Sequence, residues 1–221
     1  MTFCLNSLII KPQKGLEIKN AIILLHGYGG DGKDISTLSL NWKRYMPNTL
    51  FICPDGHEPC ALNPMGYQWF DLTKEDPNYI LLQTTKAENI LKKFIYEIRE
   101  EFELSNNQIC LSGFSQGSML SINVGLTSEE KFSCIVGFSG KIINQNDLKS
   151  RIKNFTDILL IHGDADQVVP SMHLLEAKDF LARSNVNVET LLIKNCDHHI
   201  PVEASSTALN YILKKFDKSK Y

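Results

Sequence analysis

Ile109-Cys110-Leu111-Ser112-Gly113-Phe114-Ser115-Gln116-Gly117 is the stretch on which the reading of this 221-residue chain turns. The apolar run Ile109 to Leu111 reads as a strand, Ser118 to Leu126 reads as a helix, and a serine flanked by glycines joins the two. Such a Gly-x-Ser-x-Gly junction is a nucleophile elbow, because small flanking residues let the turning backbone pack closely while the hydroxyl stays exposed. The following helix aims its free N–H groups and positive dipole end back at the serine, which suits a reaction that develops negative charge on oxygen. The pentapeptide alone also describes an ordinary glycine-serine turn. The decision therefore falls to its surroundings.

Outward from the elbow, short apolar or β-branched runs alternate with amphipathic ones. Strands are expected at Leu5 to Ile10, Ala21 to Leu25, Leu50 to Cys53, Phe132 to Phe138, Ile158 to Ile161 and Val186 to Ile193. Helices are expected at about Ile35 to Tyr45, Ile80 to Phe102, Ser115 to Leu126, Met172 to Ser184 and Val202 to Phe216. Strands that are apolar throughout and separated by helices indicate a parallel sheet covered on both faces, with reactive groups at its carboxyl ends. The stretch from Pro54 to Pro77 lacks periodicity and carries several prolines; a functional, substrate-covering loop is expected there.

A serine hydroxyl needs an imidazole to take its proton and a carboxylate to hold the imidazole tautomer. Two carboxylates, Asp164 and Asp166, follow the strand at Ile158 to Ile161, and two histidines, His198 and His199, follow the strand ending at Ile193. Either member of each pair meets the chemical requirement. The chain order Ser, Asp, His is that of the α/β-hydrolases and differs from the chymotrypsin and subtilisin orders. An early strand end supplies His26-Gly27-Tyr28-Gly29-Gly30, where the N–H of Tyr28 is expected to join that of Gln116 in an oxyanion hole. This glycine-rich loop lacks the spacing of either phosphate-binding fingerprint.

These residues together resemble the phospholipase/carboxylesterase family of α/β-hydrolases, which includes the acyl-protein thioesterases. The resemblance covers nearly the whole chain and rests on Leu25-His26-Gly27-Tyr28-Gly29, Trp69-Phe70-Asp71, Gly113-Phe114-Ser115-Gln116-Gly117, Phe138-Ser139-Gly140, His162-Gly163-Asp164-Ala165-Asp166 and Val168-Val169-Pro170. It implies an α/β-hydrolase fold, with a mostly parallel central sheet, helices on both faces and no large cap domain. It also implies Ser115 as nucleophile, Asp166 as acid and His198 as base, with Asp164 shaping its loop through side-chain bonds to nearby N–H groups. Asp197 stands where the family usually has glycine, and aspartate is among the few residues that tolerate a positive φ there. Tyr28 stands where leucine is more usual.

The implied activity is cleavage of carboxylic esters or thioesters of small to medium acyl chains through an acyl-serine, with no metal or organic cofactor. Acyl-protein thioesterase or lysophospholipase activity is the alternative within the class, with lipidated protein cysteines or lysophospholipids as substrates. A hydrolase-fold binding protein without catalysis is the alternative outside it; such proteins often lack the intact Ser115, Asp166 and His198 found here. Cysteine at the elbow, as in dienelactone hydrolases, and the extra domain of prolyl-oligopeptidases are both missing from the pattern. Met65, Trp69, Phe70 and Leu72 of the Pro54 to Pro77 loop offer apolar surface to line an acyl groove, and packing of the loop onto the body is an equal reading for Trp69 and Phe70.

Composition narrows the remaining classes. Hydrophobic residues make up 43% and charged residues 22%, which fits a globular protein, and residues 1–221 are expected to form one domain. A net charge of −2 without a basic block gives no footprint for nucleic acid. Six cysteines lack C-x-x-C spacing and read as buried thiols of a reducing compartment, so a cytoplasmic location is expected, without membrane insertion. The run at Leu5 to Ile10 lacks the basic flank of a signal peptide. Apolar faces of the last strands and of the loop are compatible with a homodimer.

Overall fold

Alternation of side chains along Ala21-Ile22-Ile23-Leu24-Leu25 sends Ile23 and Leu25 to one face of a sheet and Ile22 and Leu24 to the other, and all five are fully buried. The sheet is therefore covered on both sides, as the continuous apolar runs predict. A computed structural model describes residues 3–74 and 76–218. In chain order the elements are β1 (Ser7–Ile10), β2 (Asn20–Leu25), α1 (Gly32–Ile35), α2 (Thr37–Trp42), β3 (Thr49–Pro54), β4 (Glu58–Pro59), β5 (Tyr67–Gln68), α3 (Pro77–Phe102), β6 (Ile109–Phe114), α4 (Gln116–Thr127), β7 (Cys134–Phe138), α5 (Gln145–Arg151), β8 (Ile158–Gly163), α6 (Met172–Arg183), β9 (Val188–Ile193) and α7 (Val202–Lys218). A 3-10 turn, Asn106–Gln108, precedes β6.

The main sheet has the order β1-β3-β2-β6-β7-β8-β9. Every neighbouring pair is parallel except β1 with β3, which places Leu8 opposite Cys53 and Ile10 opposite Phe51. One face packs Leu91, Phe94 and Ile98 of α3, Leu120 and Val124 of α4, and Leu174 and Leu181 of α6. The opposite face packs Ile35 of α1, Leu38 and Trp42 of α2, and Ala204, Ala208 and Ile212 of α7. The carboxyl ends of β2, β6, β8 and β9 lie along one edge of the sheet, so the four loops singled out in the sequence are neighbours. No described helix is long and apolar enough to cross a membrane.

Local chemistry explains where the boundaries differ from expectation. The helix expected from Ile35 to Tyr45 starts earlier and is broken: the Asp31 carboxylate caps α1 through the Asp34 amide at 2.7 Å, and a second helix restarts at Thr37. The helix expected from Ile80 begins at Pro77, where the Asp76 carboxylate accepts from the Asn78 amide at 2.8 Å and proline occupies the first turn. The short α5 has a single fully buried residue, Leu148, too little for a readable period. The Pro54 to Pro77 stretch folds its middle into the β4–β5 hairpin, whose two-residue strands lie below the length at which alternation is legible. Of the six cysteines, Cys4 is exposed and the other five are buried, all as free thiols.

Candidate active site

The elbow is strained. Ser115 sits between β6 and α4 at φ 52° and ψ −115°, a conformation that costs an L-residue roughly 1–3 kcal/mol and persists only where the surroundings impose it. They do so here. The Ser115 amide donates to Phe138 O of β7 at 2.8 Å. A Cβ on Gly113 would stand 2.3 Å from the Gly117 carbonyl, and one on Gly117 would stand 2.3 Å from Leu25 O, so both glycines of the pentapeptide are required by close backbone approach.

Asp166 and His198 meet although 32 positions separate them. His198 Nδ1 lies 2.7 Å from Asp166 Oδ2, and Asp166 Oδ1 accepts from the amides of Val168 at 2.9 Å and Val169 at 2.8 Å. Burial raises the Asp166 carboxyl, but the bonds from His198 and the two amides outweigh it and hold the group below its ordinary 3.8. The His198 ring rests on the ring of Phe114, the residue before Ser115, with centroids 4.7 Å apart. His199 instead turns outward, half exposed and paired with exposed Asp197. Between the two candidates of each pair, this geometry joins Asp166 to His198.

Two expectations for these loops need correction. Asp164 is exposed and is held through its amide, which donates to Ile193 O at 2.9 Å; the loop-shaping carboxylate is that of Asp166. Asp197 does not take a positive φ; the left-handed residue of that turn is Asn195, at φ 52°.

At the end of β2, the Gly29 amide donates to Tyr67 O and the Gly30 amide to Gly27 O, while among the described residues the Tyr28 amide donates to no protein acceptor. Gln116 opens α4, so its amide belongs to the first turn and has no carbonyl of its own helix to bond. The Gln116 side chain has a second task. Its Oε1 accepts from the Trp69 amide and its Nε2 donates to Phe70 O, both at 2.7 Å, which ties the loop after β5 to the elbow.

That tie overturns the expected acyl groove. Trp69 and Phe70 are fully buried in the core, Trp69 with its indole N–H donating to His26 O at 3.0 Å. Met65 is 87% exposed and Leu72 is 45% exposed, and none of the four lines the cavity at the site. A Trp-Phe pair in a loop carries equal apolar area whether it faces a ligand or the core; the backbone partners of Gln116 decide, and they are distant in sequence. The cavity, about 810 Å³, opens instead between α2 and α7 and is lined at its inner end by Gly27, Tyr28, Phe114 and His198. Its walls lie on the helices predicted near residues 35–45 and 202–216, but their adjacency arises only where α7 packs back across β9, β8 and β7 toward α2. Burial and a hydrogen bond with the Cys60 thiol push the Tyr28 phenol up to about 12.

Two further histidines brace the loops. His26 Nε2 accepts from the Gly56 amide at 2.8 Å, and His162 Nε2 donates to Val169 O at 2.7 Å. Burial lowers both from the ordinary 6.5, so both are neutral in the fold. An unfolded chain takes up protons near 6.5 that the folded chain refuses. Stability from these groups is therefore full above about pH 6.5 and lost as pH falls below it. Melting temperatures should be level from about pH 8 to 7 and decline from about pH 6.5 downward. A level profile to about pH 5 would contradict neutral, buried imidazoles.

A mostly parallel sheet with a strained serine at the β6–α4 turn, and a carboxylate and imidazole paired on later strand ends, defines an α/β-hydrolase. The chain belongs to the phospholipase/carboxylesterase family, whose model matches residues 6–215. It is 27% identical over 209 residues to acyl-protein thioesterase 1 homolog 1 of Dictyostelium discoideum, covering 89% of this chain and 91% of that protein. It is 24% identical over 197 residues to esterase YpfH of Escherichia coli, covering 86% of this chain and 81% of that protein. Among solved structures, esterase PE8 superposes with a TM-score of 0.90 at 31% identity, over 95% of this chain and 98% of that one.

Proposed function

We propose that Ser115, His198 and Asp166 are the nucleophile, base and acid of one triad within a single hydrolase domain, and that the amides of Tyr28 and Gln116 form its oxyanion hole. The protein is a serine hydrolase of the esterase class, cleaving carboxylic ester or thioester bonds. The observation that carries the residue assignment is the Asp166–His198 contact of 2.7 Å beside a serine held at φ 52°.

In this reaction the Ser115 hydroxyl gives its proton to His198 Nε2 as its oxygen bonds to the substrate carbonyl carbon. The carbonyl oxygen becomes an oxyanion facing the two amides, each donor contributing roughly 3 kcal/mol in the transition state. The carbon–oxygen or carbon–sulfur bond then breaks, the leaving atom takes the proton from His198, and water hydrolyses the acyl-serine by the reverse steps. Asp166, with one oxygen on His198 and the other held by two amides, keeps the imidazole in the tautomer that leaves Nε2 free to accept. A cytoplasmic location is part of this reading, supported by six cysteines that are all free thiols.

A fluorophosphonate probe tests the assignment directly. It should add one phosphonyl group, found by mass spectrometry on the peptide carrying Ser115. Modification at another serine, or none, would remove Ser115 from its role.

A further inference from the structure

The cavity at the site is one-sided, and the side it takes bears on the substrate. Its lining comes from the loop after β2, from the α1–α2 segment, from Phe114, from the turn at His198 and from α7; among the described residues, the loops at 54–77, 138–143 and 164–170 contribute nothing to it. It borders the reaction centre: His198 and Phe114, the residue before Ser115, are part of its lining, and a Cβ on the lining residue Gly27 would stand 3.3 Å from Ser115 Cβ. Beyond His198 its walls mix apolar residues, Leu38 of α2 and Leu209 and Leu213 of α7 among them, with the polar Thr37, Asn41, Arg44, Ser206 and Asn210. The floor is fixed across the two helices by Trp42 Nε1, which donates to Ser205 Oγ at 3.0 Å.

We propose that this groove receives the leaving group of the substrate, so that the enzyme selects esters or thioesters of a long alcohol or thiol and is indifferent to the length of the acyl chain. The inference rests on Ser115 as nucleophile and His198 as proton donor. Asp166 occupies His198 Nδ1, so Nε2 is the nitrogen that returns the proton. The departing oxygen or sulfur must lie within reach of Nε2, whereas the carbonyl oxygen points to the Tyr28 and Gln116 amides. Whatever the departing atom carries extends past His198, and that is where the groove runs. The acyl chain, attached at the remaining position of the carbonyl carbon, points away from it.

Two ester series separate the possibilities. Hydrolysis of linear alkyl acetates, methyl to octyl, and of methyl esters of linear acids over the same chain lengths is followed by proton release with a pH indicator. The kcat/KM should rise by about threefold for each methylene added to the alcohol and stay level along the acyl series. A rise along the acyl series with a level alcohol series, or equal rises in both, would overturn the assignment of the groove. Leu213→Trp, which adds bulk on the outer wall, should lower the octyl-to-methyl acetate ratio of kcat/KM by about tenfold; an unchanged ratio counts against the groove. Should that variant lose its fold by circular dichroism, Val202→Trp at the exposed start of α7 serves in its place. Fluorophosphonate labelling of the wild type keeps the two levels apart. A labelled Ser115 with the wrong chain-length preference defeats the groove alone, and an unlabelled Ser115 defeats the reading beneath it.

Discussion

Ser115→Ala should reduce kcat for p-nitrophenyl acetate by roughly 10⁴-fold or more, the loss expected when a triad nucleophile is removed. The fold should be unaffected, because alanine accepts the same backbone strain as serine and Ser115 is held through its amide bond to Phe138 O. Ser115→Gly sharpens the test. Glycine relieves the strain at φ 52°, ψ −115°, so this variant should be equally inactive and more stable than the wild type by about 1 kcal/mol, visible as a higher melting temperature. A serine in an ordinary turn would give neither result. Activity retained in either variant would end the assignment.

His198→Ala should cost about as much as the loss of Ser115, since proton acceptor and nucleophile act as a unit. His199→Ala should change kcat/KM by less than about tenfold. The two histidines are adjacent in sequence and share a turn, and only His198 meets Asp166 and rests on Phe114. His199 pairs with Asp197 at the surface. Asp166→Asn should approach the His198 loss by favouring the wrong imidazole tautomer, whereas Asp164→Asn, altering an exposed side chain, should leave the rate near wild type. Reversed outcomes within either pair would reassign the base or the acid.

The sheet, the order of its reactive loops and the identity of Ser115 were legible along the chain, because each depends on local signals. Continuous apolar runs mark buried parallel strands, helical spacing marks α3, and two glycines around a serine mark a turn that no side chain but hydrogen fits, as the 2.3 Å approaches at Gly113 and Gly117 show. The choice of Asp166 and His198 came through resemblance, since spacing alone left Asp164 and His199 equally placed. What could not be read was the direction in which the loops close. Trp69 and Phe70 read equally as groove or packing residues and are core residues, because the Gln116 side-chain amide reaches across 46 and 47 positions to bond their backbone.

The cavity was invisible for the same reason. Amphipathic patterns identify α2 and α7 as surface helices and say nothing about which helices share a face of the sheet. Strand order sets α3, α4 and α6 on one face and α1 and α2 on the other, and the packing of α7 back across β9, β8 and β7 brings it to that second face. By itself, then, the sequence determined the serine-bearing strand-to-helix turn of this protein, because that turn is written in residues only a few positions apart. Only the tertiary structure decided which carboxylate and imidazole meet and which helices enclose the cavity beside them, because those depend on distances between chain segments that covalent spacing does not set.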